Sequence, residues 1–202
     1  MKKFTAITSS VCPLPIKDVD TDMIIPAQYM TSVSKEGYGE NLFRRLRDSD
    51  SNFALNQARY KQSKIMVVDD NFGCGSSREH AVWALMSWGI EVIIAKSFAD
   101  IFFSNSAKSG LLLITLSPEK VDYYLSKAAS SEGLVLSVDL ETQTISEQDS
   151  DKLQSFDYNP FRKHCLLNGL EDLDYIFSKA QQIAEFRQKQ EASRYVDTKS
   201  LI

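Results

Sequence analysis

The chain has 202 residues, 43% apolar and 25% charged, and its 23 basic and 27 acidic side chains leave a net charge of −4. That composition suits one soluble globular domain, long enough to bury roughly 70% of its unfolded surface. The acidic balance speaks against a nucleic-acid surface.

Residues 4–11 suggest a short strand, and Cys12-Pro13-Leu14-Pro15 is expected to stop it, because proline supplies no N–H. Asp18, Asp20, Thr21 and Asp22 then precede Met23-Ile24-Ile25; their simplest role is a turn that hydrogen-bonds to itself. Residues 31–40 hold Gly37 and Gly39 among serines and charges, and a loop disordered in the isolated chain is expected there. Residues 41–60 predict one or two short helices, with Arg44, Arg45 and Arg47 on a solvated face.

Ile65–Val68 reads as a buried strand, Val92–Ala95 as a second and Leu111–Leu116 as a third. Helices are predicted from Ala81 to Trp88, from Phe98 to Lys108 with Gly110 closing it, and after the Ser117-Pro118 cap signal. This alternation points to βαβ units and a partly parallel sheet. Beyond it, Leu134, Leu136, Val138 and Leu140 alternate with polar or small residues and predict a hairpin. Asn159-Pro160 opens a short helix that Gly169 closes, and Leu170, Leu173, Phe177, Ala180 and Ala184 form the stripe of one last helix with a polar, fraying tail. The reading is a single domain over 1–202 with a C-terminal helical extension from about 160.

Three scattered cysteines, Cys12, Cys74 and Cys165, with no CxxC pair, argue against a disulfide framework and against a metal bound by this chain, and fit a reducing compartment. Nothing approaches the ~18 apolar residues of a membrane span, and hydroxyl residues break up the N-terminal segment, so a cytoplasmic protein is expected.

The stretch from Ile65 to Trp88 carries the chemistry: strand, then a turn with Gly73 and Gly75, then Ser76, Ser77 and Arg78, then helix. A dinucleotide fingerprint fails, because Arg78 stands where the third glycine belongs and Lys96 follows the next strand. A phosphate-binding P-loop fails for want of a G-K-[ST] triplet. A carboxylate site fits: glycines admit a ligand to the backbone, serines offer hydroxyls, and Arg78 offers a planar fork. A purely structural reading competes, since Ser76 to Glu79 matches the S-x-x-E capping box. Cys74 lacks a partner histidine pattern and reads as a small residue in a tight turn. His80 and His164 read as packed or hydrogen-bonded histidines, not metal ligands.

The string NFGCGSSREHA resembles the signature of the mobile domain of the aconitase superfamily. DVDTDMIIPAQY, KSFADIFFSNSAKSGLL, VDLETQTI and NPFRKHCLLNGL, in that order, resemble the small-subunit family of bacterial 3-isopropylmalate dehydratases over residues 4–185. The resemblance implies an α/β swivelling domain of three β/β/α layers. It implies a hydro-lyase of leucine biosynthesis that isomerises 2-isopropylmalate to 3-isopropylmalate by loss and return of water. It also implies a heterodimer whose separate large subunit carries a [4Fe–4S] cluster, with no cofactor on this chain. Carried over by position, Ser76 is the catalytic base, while Ser77, Arg78 and Gly75 bind the dicarboxylate substrate. Asp20, Thr21 and Asp22 lie beside the site, and Tyr29, Met30 and Thr31 read the substrate's substituent. Related hydro-lyase subunits (homoaconitase, citraconate or dimethylmalate hydratase) share this loop chemistry, and a non-catalytic carboxylate-binding module is the reading from another class.

Overall fold

The computed structural model describes residues 1–30, 37–148, 150 and 152–194. Seven strands, β1 (Ile7–Leu14), β2 (Ile65–Val68), β3 (Val92–Ala95), β4 (Leu112–Thr115), β5 (Val135–Asp139), β6 (Thr144–Glu147) and β7 (Leu153–Ser155), form one sheet in the order β4-β3-β2-β1-β5-β6-β7. Strands β1 to β4 are parallel; β5, β6 and β7 add antiparallel beyond β1. The helices are α1 (Thr21–Ile24), α2 (Arg44–Ser49), α3 (Glu79–Trp88), α4 (Asp100–Ser109), α5 (Pro118–Ala129), α6 (Pro160–Asn168), α7 (Asp172–Ser178) and α8 (Ala180–Arg194).

The parallel half is buried on both faces, which explains its unbroken apolar runs. Register rows alternate between two cores. Cys12, Met66, Ile93 and Leu113 pair across four strands and face Ile24, Phe43, Phe72, Leu85 and Phe102. Val11, Ile65, Val92 and Leu112 form the adjacent row and face Val121, Tyr124 and Leu125 of α5, together with Leu136, Val138 and Ile145 of the antiparallel strands. A slip of one residue would exchange the two faces. This is the layered α/β fold with βαβ units and C-terminal helices that the resemblance implied.

Several expectations need correction. Strand β1 runs on through Pro13. Strand β5 pairs β1 only from Ile7 to Ser10, and the Val11 N–H still reaches back to the Leu134 carbonyl. Backbone groups alternate sides, so the nitrogen of Pro13 points to that same side, past the end of β5, where no ladder bond is lost. Strand β7 escapes the sequence because it is three residues long and mostly solvated.

Residues 31–36 of the expected loop lie outside the described residues, but its end is packed. Tyr38 to Asn41 forms a 3-10 turn with Tyr38 buried, and Gly39 sits against the backbone of Ser87 and Trp88. The last helix is two helices, α7 and α8, interrupted where the Lys179 N–H bonds back to the Ile176 carbonyl. Its apolar stripe is not core, since Leu173, Phe177, Ala180 and Ala184 are exposed. Compactness divides the chain after Gly169 into a body of residues 1–169 and a segment of residues 170–202.

A methyl group on Gly39 would lie 2.7 Å from the Ser87 carbonyl carbon and the Trp88 nitrogen, both backbone atoms that cannot step aside. Gly37 has a positive φ of 85° but open space around it. Gly39→Ala is therefore expected to cost about 1–3 kcal/mol, and Gly37→Ala only about 1 kcal/mol for its left-handed backbone. Urea midpoints of the two variants decide this, and equal losses would refute the close packing.

Candidate active site at the carboxyl ends of the parallel strands

In open α/β sheets ligands settle outside the carboxyl ends of the strands. Here three loops meet at that edge. The loop after β1 meets the loop after β2 through Asp18 N–H to the Asp70 carbonyl (3.0 Å) and Gly73 N–H to the Val19 carbonyl (2.7 Å). The loop after β3 joins through Phe72 N–H to the Ser97 carbonyl (3.2 Å) and Ala99 N–H to the Phe72 carbonyl (3.0 Å). Asn71, itself at φ 55°, ties all three together: its N–H donates to Ser97 Oγ at 2.9 Å and its Nδ2 to Asp18 Oδ1 at 2.7 Å.

The two glycines have different tasks. Gly73 takes φ 79°, and any Cβ there would stand 2.2 Å from the ring of Phe102 on α4. Gly75, at φ 87°, has room around it and serves the turn. The turn leaves Ser76 and Ser77 exposed. Thr21 clamps the segment from the other side, its N–H donating to the Cys74 carbonyl (3.0 Å) and its Oγ1 to the Ser76 carbonyl (2.9 Å).

The capping box expected at Ser76–Glu79 is absent. Helix α3 starts at Glu79 with Arg78 in extended backbone as its N-cap and no side-chain cap bond. A Ser76 cap would need helix from residue 77, and the turn through Gly75 ends too late for that. Among the described residues neither serine hydroxyl has a hydrogen-bond partner. The first N–H groups of α3 and two hydroxyls thus stand together, with no side chain satisfying that end of the helix.

Arg78 is held by Asp22. Its Nη1 donates to Asp22 Oδ1 at 2.7 Å and to the Ile25 carbonyl at 3.4 Å. Asp22 Oδ2 accepts from Arg45 Nη1 at 2.6 Å, and Oδ1 also accepts from the Ala27 N–H at 3.2 Å. The Arg78 guanidinium holds the Asp22 carboxyl below the usual carboxylate range, partial burial pushes the other way, and the Ala27 N–H and Arg45 add to the lowering. Asp20 caps α1 by accepting from the Met23 N–H at 2.7 Å. The acidic segment is thus a self-bonded turn and also the support of Arg78.

A cleft of about 260 Å³ opens here, lined by Thr21, Gly73, Gly75, Ser76, Ser77 and Arg78 and, opposite them, by residues 99–102 and Asn105 of α4. Sequence reasoning missed this second wall, though the signal was present. Helix α4 buries Phe102, Ser106 and Ala107 on one face, and Ile101 falls off that face and is 53% exposed. It missed Arg45 too: a pairing with Asp22 across 23 residues leaves no local pattern. Tyr29 and Met30 lie on the turn after α1, half-buried against the core and not in the cleft lining; Thr31 lies outside the described residues.

Cys74 is no activated nucleophile, because burial and then Asp20 and Asp18 push its thiol up. His80 packs edge-on to Trp83 (4.7 Å between ring centres) and Tyr38 (5.3 Å). Among the described residues no three His, Cys, Asp or Glu side chains gather to hold a metal ion, and no helix is long and apolar enough to cross a membrane.

The aconitase C-terminal domain model matches residues 1–119. A 3-isopropylmalate dehydratase small subunit of Francisella tularensis subsp. novicida is 50% identical over 190 residues, covering 94% of this chain and 99% of its own length. A second, of Jannaschia sp., is 49% identical over 191 residues, covering 92% of this chain and 94% of its own. A crystal structure of 3-isopropylmalate dehydratase from Methanocaldococcus jannaschii superposes with a TM-score of 0.65 at 27% identity, covering 91% of this chain and 99% of that one.

Because the folded carboxyl of Asp22 titrates below its unfolded value, its two ion pairs stabilise the fold above the ordinary carboxylate range, and that contribution disappears as pH falls through the lowered value. Asp22→Asn is expected to lower the urea midpoint at pH 7, with the gap to the unmodified chain shrinking as pH drops below about 4. A gap that stays constant down to acid pH would show the pairs to be energetically idle.

Proposed function

The chain belongs to the family of 3-isopropylmalate dehydratase small subunits, and from that premise we propose that it supplies half of an active site that interconverts 2-isopropylmalate and 3-isopropylmalate in cytoplasmic leucine biosynthesis. The observation that carries the reading is the pair of exposed serine hydroxyls beside Arg78, on a glycine turn that leads into the α3 N-terminus.

The other half belongs to a large subunit, with which this chain forms a heterodimer. That subunit would hold a [4Fe–4S] cluster, whose chemistry when bound would be Lewis-acid assistance to loss of the hydroxyl. This chain supplies the proton chemistry at carbon and the anion clamp. Ser76, as the alkoxide, takes the carbon-bound proton while an acid of the large subunit protonates the departing hydroxyl to water; at readdition that acid takes a proton from the incoming water and Ser76 returns its own to carbon. A serine hydroxyl is far too weak an acid to do this unaided. The helix N–H donors and Arg78 favour the charged form, and a cleft shut off from water by the partner would strengthen both. Ser77 and Arg78 bind a substrate carboxylate, and Gly75 lets it approach the backbone. Thr21 holds the carbonyl of Ser76 in place, Asp20 anchors α1, and Asp22 orients Arg78. The segment from Tyr29 and Met30 to Thr31 reads the isopropyl substituent.

The test is reconstitution with the large subunit, following absorbance of the unsaturated intermediate. Ser76→Ala is expected to lower kcat by about a thousandfold or more. Arg78→Lys is expected to raise KM at least about tenfold, since a point charge cannot replace the two-pronged fork. Near-normal turnover by Ser76→Ala would remove the base assignment. Competition among 2-isopropylmalate, homologous tricarboxylates, citraconate and dimethylmalate decides the substrate: preference for one of the others would reassign it within the hydro-lyases.

A further inference from the structure

Asp22 stands between two guanidinium groups, one at each oxygen. Oδ1 accepts from Arg78 Nη1 at 2.7 Å and Oδ2 from Arg45 Nη1 at 2.6 Å. Carboxylate and arginine ordinarily close a two-pronged pair, in which both oxygens meet two nitrogens of one fork. Here they do not. Among the described residues Arg78 uses Nη1 alone, toward Asp22 and the Ile25 carbonyl, leaving the N–H groups of Nε and Nη2 without a protein partner. Arg78 lines the cleft with Ser76 and Ser77, and its side chain is 21% exposed.

We propose that Arg45 is a positioning residue that captures the second oxygen of Asp22, so that Asp22 aims Arg78 without consuming its fork or neutralising it. The two arginines and one carboxylate carry a net charge of +1, whereas Asp22 and Arg78 alone would form a neutral pair. Without Arg45, Oδ2 turns to a second nitrogen of Arg78, and an incoming carboxylate must displace it. Arg45 reaches from α2, with its own side chain 59% exposed, and acts through Asp22 without touching the reacting atoms. Ala27 fixes the arrangement further by donating its N–H to Oδ1, which leaves Oδ2 to Arg45. The inference rests on the reading of Arg78 as the clamp for a substrate carboxylate.

The experiment has a kinetic arm and an arm free of substrate. In the complex with the iron–sulfur large subunit, Arg45→Gln is expected to raise KM for 2-isopropylmalate about tenfold while kcat changes less than about twofold. Arg45→Lys is expected to recover most of the loss, since one cation on Oδ2 suffices. In an Asp22→Asn background the Arg45 change is expected to add little. In the isolated chain, 15N spectra of the arginine side chains are expected to show slower guanidinium proton exchange at Arg78 in Arg45→Gln, as its fork closes on Asp22. Unchanged exchange at Arg78, or a KM effect that persists undiminished in the Asp22→Asn background, overturns the proposal. Slowed exchange together with no turnover of 2-isopropylmalate by the unmodified complex would sustain the positioning role and remove the functional reading instead.

Discussion

The Cα of Gly73 rests on the ring of Phe102 at a distance no side chain could share, and the site depends on that contact. It presses the turn after β2 against α4, so that one wall of the cleft is backbone and the other a helix. Phe102 is buried and packs edge-on to Phe72, one residue before Gly73, at 5.4 Å between ring centres. The turn is thus fastened by an aromatic pair beneath it and by Thr21 beside it. Both fastenings matter because the candidate site residues Ser76, Ser77 and Arg78 precede the helix on a loop. A loop with three residues at positive φ (Asn71, Gly73 and Gly75) would be a poor platform unless its surroundings fixed it.

Rigid backbone beneath exposed hydroxyls is an uncommon combination, and here it follows from the absence of a cap. Most helices close their N-terminus with a serine, threonine or acidic side chain. This chain does so at α5 with Ser117, at α6 with Asn159, and at α7 with Glu171 and Asp174. It does not at α2, α4 or α3, and at α3 Ser76 and Ser77 are available in sequence. Leaving that end open costs about 1 kcal/mol, a loss that makes sense if the donors are reserved for a charged group that arrives later. The same logic governs Arg78. Its bond to Asp22 is one-pronged, so the cation is oriented and yet only partly satisfied.

The scaffold was legible because its signals are local. Four apolar residues between turn signals mark each of β2, β3 and β4, and Ser117-Pro118, Gly110, Asn159-Pro160 and Gly169 mark helix ends by their own backbone chemistry. What misled were features set by distant neighbours. Pro13 sits inside a strand because β5 ends early, which nothing near Pro13 announces. S-x-x-E at Ser76 has the composition of a capping box, but with Gly75 in left-handed backbone the cap falls on Arg78 and the helix starts at Glu79. Tyr38 and Gly39 look like loop residues, yet they pack on α3, against His80 and the Ser87–Trp88 backbone far ahead in the chain. Ser76, Ser77 and Arg78 stand out in the sequence because their types suit carboxylate chemistry, whereas the roles proposed for them come from likeness and not from spacing. Arg45 does lie on a solvated face, but its bond to Asp22 leaves no local signal because the partner is on another element.

If the cleft is the proposed half-site, the acidic segment accounts for its stability without a second subunit. A cleft that holds a cation for an absent anion carries a standing electrostatic cost, because an unpaired, partly buried guanidinium prefers bulk water. Asp22 offsets that cost, and the Arg78 guanidinium, with the Ala27 N–H and Arg45, holds its carboxyl below the usual carboxylate range against the opposing effect of partial burial. Were Asp22 alone with Arg78, cost and function would cancel together. Dividing one carboxylate between Arg78 and Arg45 keeps a net positive charge at the cleft while no charge goes unpartnered. On this view the loop after β1 keeps the anion clamp of the β2 loop available until a substrate and a second subunit close over it.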